Sequence, residues 1–185
     1  MLGAEFIAIA DELRYKPSGI SEQAVREIRR IKARVEAERI PRGADRALHV
    51  KLGPGGLSDV EWTVQLVQLR HAFAVPKLRT TRTLDALDAG MDADLIAAAD
   101  ADALSASWQL AAQIRNAVML IRGRPGDTLP AKHDELTAVA RLLGYKPSAA
   151  SEGFDWADTP AQALEQDYRR TARRARAVMD RLFYG

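Results

Sequence analysis

Apolar residues recur along this chain at steps of three and four, not two, so helix is predicted almost throughout and strand almost nowhere. A first helix is predicted from about Gly3 to Tyr15, stopping before Pro17, which disfavours helical geometry at Lys16. A second follows Ser21, its expected N-cap, with Ala24, Ile28, Ile31 and Val35 forming one apolar stripe up to Pro41. Its charged residues, Lys32 included, read as a solvated face or as a basic surface for a phosphate-bearing or acidic partner. Short helical stretches are expected after Thr83 and after Asp92, the first closed by Gly90 as a C-terminal cap. A long one spans about Ala103 to Ile121, with Leu104, Trp108, Ala111 and Val118 on one face and Leu110, Ile114, Ala117 and Ile121 beside it. A further helix runs from His133 to Leu143 and stops at Gly144, and residues Pro147 to Pro160 read as a loop. The last helix carries Leu164, Tyr168, Thr171, Ala175, Val178 and Leu182 in alternating steps of four and three, a packing seam flanked by Arg169, Arg170, Arg173, Arg174, Arg176 and Arg181. The economical architecture is an all-α antiparallel helical bundle.

The segment Lys51 to Trp62, KLGPGGLSDVEW, is the most specific. Its glycines permit positive φ and close backbone approach. Ser58 and Glu61 match a capping box with Leu57 as a staple. In the helix that follows, Trp62, Leu66, Leu69 and Phe73 make one apolar stripe and Val60, Val64 and Val67 another, leaving Glu61, Gln65 and Gln68 as a polar stripe in need of partners. A glycine loop entering a helix can cradle an anion with its amides, and Lys51 would add a positive charge. As local chemistry alone, it reads first as a structural turn and second as a phosphate contact. The spacing is neither that of a P-loop nor that of a dinucleotide fingerprint.

Composition narrows the field. The 185 residues suffice for one domain with a sizeable core. Net charge is only +2, which gives no case for nucleic acid, and no apolar run reaches membrane-spanning length. The start, MLGAEFIAIADELRY, lacks the basic region of a signal peptide, so a cytoplasmic location is expected. With no cysteine and three scattered histidines, a thiolate or imidazole metal site is not expected.

Arg30 to Trp62, RIKARVEAERIPRGAD and then HVKLGPGGLSDVEW, resembles the helical domain of the glutamine synthetase adenylyltransferase family, in particular its carboxy-terminal copy in actinobacterial-type sequences. WQLAAQIRNAVMLIRGRPGDTLP, ARLLGY and the closing DYRRTARRARAVMDRLFYG extend the resemblance over nearly the whole chain. It implies a part in ATP- and Mg2+-dependent transfer of AMP to a tyrosine of glutamine synthetase, in the control of nitrogen assimilation. The family's catalytic Gly-Ser and Asp-x-Asp motif lies on a nucleotidyltransferase domain, and this chain has no Gly-Ser dipeptide. Its own Asp-x-Asp pairs, Asp92 with Asp94 and Asp100 with Asp102, read as helix caps and solvated acids. The expectation is therefore a helical domain that holds no cofactor and is inactive alone, with residues 1–15 as a junction to a nucleotidyltransferase domain outside this sequence and 16–185 as the helical domain. Lys51, Gly55, Gly56, Asp59, Glu61 and Gln65 are the nucleotide or domain-interface candidates, with no catalytic residue among them. Expected partners are glutamine synthetase, the nucleotidyltransferase domain and a PII-type nitrogen-signalling protein. The alternative is a non-catalytic module docking glutamine synthetase or a regulatory protein through its arginine-rich faces.

Overall fold

The computed structural model describes residues 2–146 and 159–185. Within them the chain is all α, with no strand. The helices are α1 (Leu2–Arg14), α2 (Glu22–Arg39), α3 (Leu57–His71), α4 (Thr83–Asp92), α5 (Ala98–Arg122), α6 (His133–Leu142) and α7 (Pro160–Met179). Short 3-10 turns at Arg46–Leu48 and Pro76–Leu78 link them, and the chain closes in a π-helical segment, Asp180–Tyr184. The loop expected from Pro147 to Pro160 falls, up to residue 158, outside the described residues.

The seam read from α7 is its core face. Leu164, Tyr168, Ala175 and Val178 are buried, and α7 packs on α3, α5 and α6. One apolar cluster joins α5, α6 and α7 through Ala111, Ile114, Val118, Leu136, Val139 and Leu164. A second joins α3, α4, α5 and α7 through Val60, Val64, Leu87, Leu104 and Val178. The closing segment turns back so that Phe183 packs with Val25, Leu66 and Met179, its ring edge-on to Trp62. That small cluster is where α2 meets the bundle.

Several local expectations are corrected. The buried line of α2 runs through Val25 and Lys32, while Ala24, Ile28, Ile31 and Val35 lie only half-buried, because Lys32 finds a buried counter-ion that an apolar stripe cannot offer. The capping box does not form. Gly56 occupies the N-cap, and the Ser58 amide donates instead to the Lys51 carbonyl. Gly90 lies inside α4, not beyond it, and its bare Cα leaves room for the end of the Ile96 side chain. Residues 93–97 then turn through Asp94 at positive φ directly into α5, with no separate second helix. Phe73 and Ile121 both fall on the surface, Phe73 because α3 has already ended.

Candidate functional site

The loop before α3 is folded onto itself by its own amides. The Gly53 amide donates to the His49 carbonyl, Gly56 to Gly53, Leu57 to Val50, and Gly55 to the Asp59 carboxylate at 2.8 Å. Gly55 sits at φ 72°, and a Cβ there would stand 1.9 Å from the Ala172 carbonyl oxygen. The loop is thus pressed flat against α7, and Ser107 of α5 fastens its other side by donating to the Gly55 carbonyl at 2.6 Å. The glycines serve close packing between backbones. Gly55 and Gly56, expected to offer amides to a ligand, have theirs taken up by acceptors of the chain.

Beneath the loop lies a buried charge cluster. Asp59 is fully buried and receives the Lys32 ammonium on Oδ1 at 2.5 Å, with Lys32 itself fully buried. Its Oδ2 accepts from the Gly55 amide and from Arg176 at 3.1 Å. Glu36 closes the ring by accepting from Lys32 and, at 3.4 Å, from Arg176. Burial works against the charge on Arg176, yet Asp59, Asp180 and Glu36 outweigh it and hold its pKa above the usual value. Arg176 also lies over the Tyr184 ring, 5.5 Å from its centre. In this way α2, α3 and α7 are tied at one point. Asp59 thus accepts three donors of the chain and serves as an internal strut beneath the loop. Nearby, the buried Tyr168 hydroxyl has no hydrogen-bond partner among the described residues, and burial followed by the Asp59 charge pushes its ionisation up.

The remaining candidates separate. Lys51 is exposed beside the loop. Glu61 and Gln65 lie on another side of α3, lining a cleft of about 370 Å³ with Arg14, Tyr15, Gln68 and Arg82. Two residues of the polar stripe, Glu61 and Gln68, find partners within the chain. Gln68 donates to the carbonyls of Leu78 and Thr80, Glu61 accepts from the Trp108 indole at 3.3 Å, and Gln65 faces solvent. Asp92 pairs with Lys77 and Asp100 with Arg181, and among the described residues no three carboxylates or imidazoles converge.

The sequence reading missed Lys32, Glu36 and Arg176. A signal was present: Lys32 falls four residues after Ile28 and seven after Val25, on the inward line of α2, while Asp59 sits in an apolar helical turn that calls for a cation.

A family model described as GlnD PII-uridylyltransferase matches residues 29–183. The chain is 55% identical over its whole length to the bifunctional glutamine synthetase adenylyltransferase/adenylyl-removing enzyme of Streptomyces avermitilis. It is 56% identical over 99% of its length to the enzyme of the same description from Streptomyces coelicolor, and 49% identical over 98% to that of Mycobacterium leprae. The chain spans about 17% of the length of each of these relatives.

Proposed function

Since the chain belongs to the family described as GlnD PII-uridylyltransferase and is similar throughout its length to one segment of bifunctional glutamine synthetase adenylyltransferases, we propose that it is the helical part of an AMP-transferring module. The observation that carries this reading is the similarity over 98% or more of the chain, at about half of the aligned positions, to relatives that share one description. On this reading residues 1–15 join a nucleotidyltransferase domain and residues 16–185 form the helical domain. The longer protein uses ATP and Mg2+ to modify a tyrosine of glutamine synthetase, and its metal-binding carboxylates lie outside this chain. The helical domain closes over the reacting centre in the cytoplasm, and the whole serves nitrogen control, with a PII-type protein as a further partner.

The geometry suits a rigid support. The ion cluster and the packed glycine loop fix the start of α3, so that Lys51 is displayed from a firm base and Glu61 and Gln65 from the adjoining helical turns. In the longer enzyme, Lys51→Ala should slow AMP incorporation into glutamine synthetase about tenfold without changing the helical circular dichroism. Unaltered turnover together with unaltered ATP affinity would remove Lys51 from the site. The purified 185-residue chain should transfer no AMP by itself, and transfer by it, free of contaminating enzyme, would end the reading.

A further inference from the structure

The motif KLGPGG leaves one feature unexplained. With the Gly55 backbone flat against α7, Pro54 stands exposed at the helix edge. Between it and α7 runs a groove of about 410 Å³, floored by Ala47, Pro54, Ala172 and Ala177 and bordered by Arg169, Arg173 and Arg176, with Asp180 at one end. Arg169 is paired with Glu165 and Asp45, and Arg176 with Asp59, Glu36 and Asp180. A guanidinium has five N–H donors, so both retain donors beyond these pairs. Arg173 is exposed and forms no ion pair with a described residue.

The spacing selects among anions. Along α7 the arginines are offset by about 6 Å from position 169 to 173 and about 4.5 Å from 173 to 176 at the α-helical rise. An extended peptide places alternate side chains about 6.7 Å apart on one side, close to the first of these steps. A phosphate group is commonly cradled by unpaired backbone amides. Here the loop amides of Gly53, Gly55 and Gly56 are bonded internally, and these arginines lie within a helix whose backbone amides are used by its own turns. What the groove offers is forked side chains over a shallow apolar floor, which suits carboxylates on a flexible chain.

We infer that the groove between α7 and Pro54 docks an extended acidic protein segment with carboxylates at alternate positions, Arg173 being its principal contact. Lys51 does not line this groove, and the inference does not rest on the AMP-transfer reading. The test is fluorescence anisotropy on the 185-residue chain with a labelled peptide of about ten residues alternating Glu and Ala, beside its Gln counterpart. Arg173→Glu should weaken binding of the Glu peptide by about tenfold or more, and the Gln peptide should bind poorly. Arg141→Glu, exposed on α6, should change little, and circular dichroism should show both variants folded. Equal affinity for wild type and Arg173→Glu would overturn the proposal, as would equal losses in Arg173→Glu and Arg141→Glu, which would mark general charge attraction. Tripolyphosphate displacing the peptide at far lower concentration, in an Arg173-dependent way, would give the groove to phosphate and also overturn it.

Discussion

Lys32 and Asp59 show what hydrophobic patterning cannot see. Each is a charged residue with no exposed surface, and each is tolerable because it is paired, with the other at 2.5 Å and with Arg176 or Glu36 besides. Removing Asp59 leaves the buried Lys32 with Glu36 alone, in a medium that solvates it poorly, and takes a counter-ion from Arg176. Asp59→Ala should therefore cost about 3–5 kcal/mol, measured by urea unfolding, although the substitution changes no apolar contact of consequence. An exposed pair such as Arg30 with Glu27 offers no such effect. Counting by type, a lysine among arginines and glutamates belongs to a wet face. Its true setting is fixed by α3 and α7, far along the chain, and was legible only through its register with Val25 and Ile28. The glycine motif was legible as a special backbone, but not its purpose, because the carbonyl of Ala172 that forbids a side chain at Gly55 lies over a hundred residues away.

Among the elements, those with broad apolar faces were read best. α5 and α7 appear near their expected places because each presents one stripe to several neighbours. α2 was placed correctly in sequence, with Ser21 accepting from the Ala24 amide as its cap, yet its inward face was assigned one position away. Apart from Val25 and a half-buried Ile28, α2 is held by polar ties, Lys32 to Asp59 and Arg29 to the Phe183 and Gly185 carbonyls. An element secured in this way should open as a unit when the ties fail. In Asp59→Asn, amide hydrogen exchange should speed up by at least about tenfold across Glu22–Arg39 while α5 and α7 keep their protection. Uniform acceleration in all helices would show that α2 is not a separate cooperative unit. The junction between α4 and α5 escaped the sequence reading because a glycine near the end of a helical run suggests a cap, whereas here Gly90 makes room for Ile96.

For the whole molecule, the helical class followed from periodicity alone, while the site depended on which helices meet, information that no single stretch contains. Stability as a function of acidity is likewise a property of the assembled fold. Burial, opposed by Asp127, lowers the His49 pKa from its ordinary 6.5, and its Nδ1 accepts from the Leu52 amide at 3.1 Å, so the folded state keeps this imidazole neutral. The unfolded chain binds that proton first, so stability is full above 6.5 and falls as pH drops from there through the lowered value. The Glu135 pKa, lowered chiefly by the hydrogen bond from Arg122, adds a second loss below 4.5. The melting temperature should thus be lower at about pH 5 than at about pH 7.5, and His49→Asn should flatten the upper part of that decline. A profile unchanged by the substitution would remove His49 as the cause.

The orphaned Tyr168 hydroxyl has a counterpart at the opposite end of the scale. Tyr168, Tyr145 and Tyr184 all resist losing their protons, Tyr168 and Tyr184 through burial above all and Tyr145 through burial and its bond to Asp167. Titrated upward past about 10, the ultraviolet signal of their phenolates should lag behind that of a free phenol and arrive together with loss of ellipticity. Without any added dye, base would then report the moment the interior is breached.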